Sequence, residues 1–239
     1  MQEMFRLNRH NAIHQVLCSF NSDLFQRADC FFGGGTAIVL NLDEYRESVD
    51  IDFLCASKSG YRMLRQAVWE VGIKGLMNVD SEVRSLREMR TDQYGIRTVL
   101  QIQDTPIKFE IVREGRIALR GAIDRRYGVP VLAREDMYTE KLLANTDRWA
   151  DRAVLSRDII DISMMISRWG AIPEAAWGCA KGAYGDTVAD AYHKAVDFIR
   201  NPNWLQECME KMNIDPELAG EILAPHGGPK AQEAHPFDD

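Results

Sequence analysis

Apolar residues recur at helical and strand spacings in turn along the first part of the chain. Ile13, Leu17, Phe20 and Leu24 follow one another at intervals of three or four residues, the spacing of one helix face. The segment 49–54 (VDIDFL) instead alternates apolar and acidic residues, which is typical of a strand. In order, the predicted elements are a helix over about residues 8–28, a strand over 30–32, a buried helix over 36–42, a strand over 49–54 and a helix over about 58–72.

The middle of the chain favours strands and the remainder favours helices. Two strands are predicted over 96–102 and 107–112, joined by the turn Gln103-Asp104-Thr105-Pro106, and a short strand is predicted over 129–132. Helical spacing then continues over about 134–146, 157–168, 174–184, 187–200, 203–211 and 215–223.

This order of elements predicts an α+β protein. We expect a small mixed sheet with helices on one face over residues 1–133, followed by a helical bundle over 134–224. Residues 225–239 lack apolar periodicity, which predicts a disordered tail.

Composition narrows the range of functions. The chain has 239 residues, of which 46% are hydrophobic, enough for a packed core. No apolar run approaches the about 20 residues of a membrane span, and the first residues lack the pattern of a secretory signal. The five cysteines are widely spaced without a C-x-x-C pair, which indicates reduced thiols. We therefore expect a cytoplasmic protein without a membrane partner.

The charge is unevenly distributed along the chain. A formal net charge of −7 argues against a protein that coats nucleic acid non-specifically. Residues 84–157 nevertheless contain more Lys and Arg than Asp and Glu. Such segregation would allow a local basic face for a polyanionic substrate, but an Arg-rich stretch is also typical of a plain solvated surface.

Two acids share one face of the strand over 49–54. Because side chains alternate along a strand, Asp50 and Asp52 leave the same face, whereas Ile51 and Phe53 point towards the core. Two carboxylates aimed together repel each other, and a divalent cation such as Mg²⁺ or Mn²⁺ would neutralise them. On its own, this spacing is more often that of an exposed strand with solvated acids.

A third acid is available on the strand over 107–112. Glu110 points away from the apolar face of that strand, on the same side as Lys108. If the two strands are neighbours, three carboxylates meet. That set could hold two metal ions, which would clamp the attacking and leaving oxygens of a phosphoryl transfer.

A glycine turn precedes these acids. The segment Gly33-Gly34-Gly35-Thr36 lies between a predicted strand and a predicted helix, where backbone N–H groups and the helix N-terminus favour a phosphate. It is neither a Walker loop nor a dinucleotide fingerprint. A triple glycine is often only a turn, but the order of glycine turn, short helix and D-x-D strand favours a nucleotide site.

Two blocks of the sequence resemble a known family. Residues 34–37 (GGTA) and 46–53 (RESVDIDF) resemble the polymerase-β-like nucleotidyltransferases and, more closely, the AbiEii/AbiGii toxins. Residues 141–145 (KLLAN), Arg148 and residues 157–162 (RDIIDI) resemble the second block of that family. The resemblance implies a polymerase-β-like nucleotidyltransferase domain over 1–133, and it implies that Lys141 contacts the nucleotide.

Several other side chains near these motifs have two interpretations. Arg46 and Ser48 either bracket a phosphate or fix the loop before the acids. Lys141 and Arg148 lie on one helical face, which suits a triphosphate or a solvated surface.

Asp158 and Asp161 also share a helix face. They either position Lys141, Arg148 or Arg157, or they help to hold the nucleotide. The predicted catalytic residues are Asp50, Asp52, Glu110 and Lys141, with the three acids as metal ligands. The predicted nucleotide-binding residues are Gly34, Gly35, Thr36, Arg46, Ser48, Lys141, Asp158 and Asp161.

The resulting expectation is a Mg²⁺- or Mn²⁺-dependent enzyme that transfers NMP from an NTP to an acceptor hydroxyl. The resemblance implies a toxin of a toxin–antitoxin or phage-defence pair, with a separately encoded antitoxin and an RNA such as tRNA as a possible acceptor. Two alternatives remain open: a nucleotide-binding regulatory module without transfer activity, and an antibiotic-type enzyme with a small hydroxylated acceptor.

Overall fold

The structure is a computed structural model that describes residues 4–228. Within this range, the α-helices are α1 (Asn8–Cys18), α2 (Ser22–Arg27), α3 (Gly34–Asn41), α4 (Lys58–Val71), α5 (Arg134–Arg148), α6 (Arg157–Trp169), α7 (Glu174–Tyr184), α8 (Thr187–Ile199), α9 (Pro202–Lys211) and α10 (Ala219–Leu223). The strands are β1 (Cys30–Gly33), β2 (Asp50–Cys55), β3 (Arg84–Ser85), β4 (Arg90–Thr91), β5 (Gly95–Ile102), β6 (Thr105–Arg113), β7 (Gly121–Asp124) and β8 (Val129–Leu132).

The predicted α+β class is confirmed, and the strands form one mixed sheet in the order β3-β5-β6-β2-β1-β8-β7, with β4 also paired to β5. β2 lies in the middle of this sheet. It runs antiparallel to β1 on one side and parallel to β6 on the other. Residues from β1, β2 and β6 can therefore meet on one face of the sheet.

An aromatic cluster fixes the orientation of β2. Phe53 packs against Phe25, with ring centroids 4.5 Å apart, and against Phe20 at 5.3 Å. Phe109 of β6 stacks on Phe20 at 5.2 Å. Since these rings are fully buried on one face, the alternating residues of β2 and β6 must point to the opposite face.

The first predicted helix is divided in two. The prediction of one helix over about 8–28 is wrong, because α1 ends at Cys18 and α2 begins at Ser22. Phe20 forms a β-bridge to Met77, and the Asn21 side chain accepts a hydrogen bond from the Leu24 N–H at 3.0 Å, which caps α2. Apolar residues of both helices enter the same core, so the apolar spacing alone does not reveal the break.

The turn between β5 and β6 is shorter than predicted. Thr105 and Pro106 belong to β6, so only Gln103 and Asp104 form the turn. Gln103 has φ of 50°, as a tight two-residue hairpin requires. This length sets the register of the two strands.

The chain changes from strands to helices at Ala133, between β8 and α5. The predicted division at 133 and 134 stays a prediction, because buried residues on both sides of it belong to one apolar core. α3 packs against α5 and α6, which brings the glycine turn next to the helical part.

The C-terminal part differs from the predicted tail. Ala224–His226 forms a 3₁₀ turn, and the His226 imidazole lies 2.8 Å from the Ser163 hydroxyl. The prediction of disorder is therefore wrong at residues 225–228, and its remainder, 229–239, lies outside the described residues. No helix between residues 4 and 228 is long and apolar enough to cross a bilayer.

Candidate active site

The three predicted acids lie on adjacent strands. Asp52 is the register partner of Glu110 in the parallel pair β2–β6, and Asp50 precedes it by two residues on the same face. All three carboxylates border one cavity. The predicted convergence of Asp50, Asp52 and Glu110 is thus what the fold produces, whereas their roles stay predictions.

Asp52 carries an uncompensated charge. Its carboxylate forms no hydrogen bond or ion pair with any residue of the described range, while the Lys108 ammonium lies 3.7 Å from Asp50. Burial, followed by repulsion from Asp50 and Glu110, raises the pKa of Asp52 from 3.8 to about 6. A cation placed among these oxygens would relieve that repulsion.

Glu110 is held by a residue that the sequence analysis did not identify. The Arg97 guanidinium donates from Nε to Glu110 Oε1 at 2.5 Å and lies 3.3 Å from Asp92. Arg97 is the register partner of Glu110 across the β5–β6 hairpin. A two-residue turn between β5 and β6 places Arg97 opposite Glu110, whereas the four-residue turn predicted from the sequence does not.

The glycine turn brings its backbone against the acids. Gly34 has φ of 68°, and a Cβ at this position would lie only 2.7 Å from Asp52 Oδ2. A Cβ at Gly35 would lie 2.5 Å from the Arg46 guanidinium. Gly34 therefore requires glycine, because its positive φ disfavours other residues and a Cβ would meet Asp52, whereas a Cβ at Gly35 would meet only the end of the Arg46 side chain. The same turn starts α3, whose N-terminus borders the cavity.

Thr36 and Ser48 connect α3 to the start of β2 through hydrogen bonds. Thr36 Oγ1 donates to the Asp50 carbonyl at 2.5 Å and lies 2.7 Å from Ser48 Oγ. Thr36 is buried and does not line the cavity, whereas Ser48 does. These bonds tie α3 to the start of β2, and contact of Thr36 with a nucleotide stays a prediction.

A buried network of ion pairs lies behind the cavity. The Lys141 ammonium bridges Asp158 at 2.9 Å and Asp161 at 2.6 Å. Arg46 donates two bonds to Asp161, at 2.7 and 2.9 Å. Arg148 donates two bonds to Asp158, at 2.6 and 2.9 Å. Of the two interpretations of these aspartates, this geometry matches the positioning of Lys141 and Arg148.

Burial and charge both act on the two aspartates of this network. Burial alone would raise their pKa values, but the neighbouring cations hold the pKa of Asp158 and that of Asp161 below the ordinary value. Tyr45, which sequence reasoning missed, adds a hydrogen bond to Asp161 at 2.5 Å. Burial, followed by the Asp161 charge, raises the pKa of the Tyr45 hydroxyl.

The cavity measures about 290 Å³ and joins these groups. The predicted residues that line it are Gly34, Gly35, Arg46, Ser48, Asp50, Asp52, Glu110 and Lys141. Arg148 and Arg157 line it as well, while Thr36, Asp158 and Asp161 lie behind its wall. The wall of the cavity thus combines acids from the sheet with cations from the helices.

A second carboxyl pair consists of Glu140, which lines the cavity, and the buried Glu114 behind it. Arg116 donates to Glu114 and lies 3.4 Å from Glu140, whose Oε1 has no hydrogen-bond partner among residues 4–228. Burial, followed by the Glu114 charge, raises the pKa of Glu140 to about 8. No sequence motif marked this pair.

The strand acids have the donor chemistry of a magnesium or manganese site. Carboxylate oxygens are the ligands that both ions prefer, and burial together with repulsion from Asp50 and Glu110 raises the pKa of Asp52. No group of three or more His, Cys, Asp or Glu side chains among residues 4–228 has the arrangement of a preformed metal site. Glu110, paired with Arg97, would have to turn towards an ion to complete one.

The fold and this site together define a nucleotidyltransferase: strand acids, a glycine turn and buried helical cations around one cavity. The family model "Nucleotidyl transferase AbiEii toxin, Type IV TA system" matches residues 15–220. The chain belongs to this family, which confirms the resemblance and the class of enzyme.

Solved structures are similar over most of the chain. A nucleotidyltransferase candidate from H. pylori is 16% identical with a TM-score of 0.47, covering 94% of this chain and 93% of its own. An antigenic nucleotidyltransferase-like protein from Paracoccidioides brasiliensis is 12% identical with a TM-score of 0.37, covering 95% and 96%. A comparison with curated proteins finds no match.

Proposed function

We propose that this chain transfers NMP from an NTP to an acceptor hydroxyl, with Mg²⁺ or Mn²⁺ as cofactor. The observation that carries the proposal is the convergence of Asp50, Asp52 and Glu110 on one cavity wall, beside the Gly34–Gly35 turn. A plain solvated strand would not hold Asp52 in a partly buried position against two like charges.

Asp50, Asp52 and Glu110 would hold the metal. When bound, the ion neutralises phosphate charge and polarises the reacting phosphoryl group. Asp52 is ionised above its pKa of about 6, so it is a competent ligand near neutral pH.

The transfer makes one bond and breaks one bond. The acceptor hydroxyl oxygen attacks the α-phosphorus of the NTP, the bond between that phosphorus and the α–β bridging oxygen breaks, and pyrophosphate leaves. Glu110 is a carboxylate partly open to the cavity, and it accepts the hydroxyl proton. The product is a nucleotidylated acceptor.

The helical wall binds the leaving group. Lys141 lines the cavity and is held by Asp158 and Asp161, so its ammonium is fixed in position before the nucleotide arrives. Arg148 and Arg157 line the same wall. These cations stabilise the charge that develops on pyrophosphate.

Membership in a type IV toxin–antitoxin family supports a toxin that acts with a separately encoded antitoxin. For the acceptor we propose an RNA, such as tRNA. Residues 84–157 contain an excess of Lys and Arg, which supports a polyanionic acceptor.

The test is to incubate purified protein with each of the four α-labelled NTPs, Mg²⁺ and total RNA. We expect label to enter RNA with one preferred NTP, and to be lost on addition of EDTA. Asp52→Asn should abolish the transfer, because it removes one charge of the proposed metal ligand set.

A matched control is Asp190→Asn, which removes an acid that is exposed on α8 and lies outside the cavity. It should keep the activity. Label that enters only a small hydroxylated compound would favour the antibiotic-type enzyme. Nucleotide binding without any transfer would favour the regulatory module.

A further inference from the structure

The active-site face of the sheet continues beyond the acids as an open surface. Along β5 and β6, buried residues alternate with exposed or half-exposed ones. The fully buried partners, such as Ile96 and Phe109, belong to the core. The accessible face carries Arg97, Lys108 and Glu110, so it is continuous with the cavity.

Cations line this face in successive rows across the strands. Partners in a ladder point to the same side of a sheet, so Arg90, Arg97, Glu110 and Asp52 form one row. In a second row, Arg84 of β3 pairs with Gln101, which pairs with Pro106.

The cations nearest the acids are neutralised, and those farther out are not. Arg97 pairs with Glu110 and Asp92, and Lys108 pairs with Asp50. Arg84 donates only to the neutral Gln101 side chain, and the Arg90 side chain has no ion pair with residues 4–228. The edge strands β3 and β4 therefore present the guanidinium groups of Arg84 and Arg90 without an ion-pair partner among residues 4–228.

The direction of the reaction places the acceptor on this side. The glycine turn follows β1, on one side of β2, and Lys141 lies on the helices that pack near it. In an in-line displacement, the attacking oxygen lies opposite the leaving pyrophosphate. If pyrophosphate lies against Gly34–Gly35 and Lys141, the acceptor approaches from β6 and β5.

We propose that the open sheet face with Arg84 and Arg90 binds the phosphate backbone of a single-stranded polynucleotide whose terminal hydroxyl reaches the acids. This proposal rests on the proposed function and assigns its acceptor surface. Charge complementarity commits it to a polyanion, because guanidinium groups that form no ion pair with residues 4–228 lie beside the site where the hydroxyl must react.

The test is the double variant Arg84→Glu/Arg90→Glu, measured by fluorescence anisotropy with a labelled single-stranded RNA of about 16 nucleotides. Binding should weaken by at least about tenfold. The slope of log affinity against log salt should become shallower by about 1.4, because each phosphate contact on a single strand contributes about 0.7. A DNA of the same sequence, measured in parallel, shows whether the surface distinguishes the 2′-hydroxyl.

The matched control is Lys181→Glu/Lys194→Glu, which makes the same change of net charge at exposed positions of α7 and α8. It should retain RNA binding. Both double variants should retain NTP binding and their circular dichroism spectra, since neither pair lines the cavity.

The outcomes separate this proposal from the proposed function. If the parent protein labels RNA and Arg84→Glu/Arg90→Glu binds and labels it equally well, the surface assignment is wrong while the activity stands. Equal losses in both double variants would also overturn it, since the effect would then come from net charge. If the parent protein labels no RNA but binds it through these arginines, the proposed function fails instead.

Discussion

Two groups of charged side chains border the cavity, and they differ in how their charges are compensated. On the helical side, Asp158 and Asp161 each contact two cations, and both are buried. On the sheet side, Asp52 has no ion pair with the described residues. The cations of the helical group therefore hold the pKa values of its acids down, whereas burial, followed by repulsion within the sheet group, raises the pKa of Asp52 to about 6.

This difference indicates separate tasks. A buried pair that is fully compensated is sensitive to the loss of either partner, because the remaining charge is then buried alone. An uncompensated acid destabilises the fold where it stands, and such acids persist at sites that bind a cation or transfer protons. We therefore expect substitutions in the sheet group to affect activity and substitutions in the helical group to affect stability.

The largest effect is expected for Asp52→Asn. Transfer should fall by about 10³-fold or more, because the variant loses a charge that the transition state needs. The free energy of unfolding should nevertheless rise by about 1–2 kcal/mol at neutral pH, because a carboxylate with a raised pKa is removed. Labelled-NTP transfer and urea unfolding measure the two quantities, and a loss of stability would contradict this separation.

The opposite result is expected for Asp161→Asn. Arg46 and Lys141 would lose a buried partner, so the free energy of unfolding should fall by about 3–5 kcal/mol. Urea unfolding monitored by tryptophan fluorescence provides the measurement. Asp190→Asn, at an exposed position of α8, serves as control and should change stability by less than about 0.5 kcal/mol. Similar values for the two variants would show that the network adds nothing.

Lys141→Met tests the residue of the helical group that both joins the two buried aspartates and lines the cavity. Asp158 keeps Arg148 and Asp161 keeps Arg46, so the loss of stability should be only about 1–3 kcal/mol, less than for Asp161→Asn. The NTP concentration for half-maximal transfer should rise together with a loss of kcat/KM of about 10²-fold. Unchanged kinetics in a folded Lys141→Met protein would remove Lys141 from the nucleotide site.

The sheet group follows from the sequence more directly than the helical group. Alternation along a strand places Asp50 and Asp52 on one face, and the same rule places Glu110 on the open face of β6. These are local rules that need no knowledge of the tertiary structure. These rules do not say which strands are neighbours, and only the structure shows that β2 pairs with β6.

The remaining features depend on contacts between residues far apart in the chain. The Tyr45 and Arg46 contacts to Asp161 span more than one hundred residues, and no spacing rule predicts them. The Arg97–Glu110 pair follows from a more local rule, because a two-residue turn fixes the register of the β5–β6 hairpin and places these two residues opposite each other. Glu114 and Glu140 lie close together because α5 packs near the end of β6, and no sequence motif predicts this contact.

The smallest effect is expected for Glu140→Gln, and it depends on pH. Folded Glu140 keeps its proton up to its pKa of about 8, whereas the unfolded chain releases it near the ordinary pKa of 4.5. Between these values the folded state binds more protons, so the free energy of unfolding of the parent protein falls as the pH rises. Glutamine cannot ionise, so the variant should match the parent near pH 5 and become progressively more stable than the parent as the pH rises towards 8. Urea unfolding across this range measures the difference. Glu135→Gln, a more exposed position on the same helix, removes an acid outside the cavity and serves as the control variant. If the Glu140→Gln curve is parallel to that of the parent, Glu140 is ionised in the folded protein and the raised pKa assigned to it is wrong.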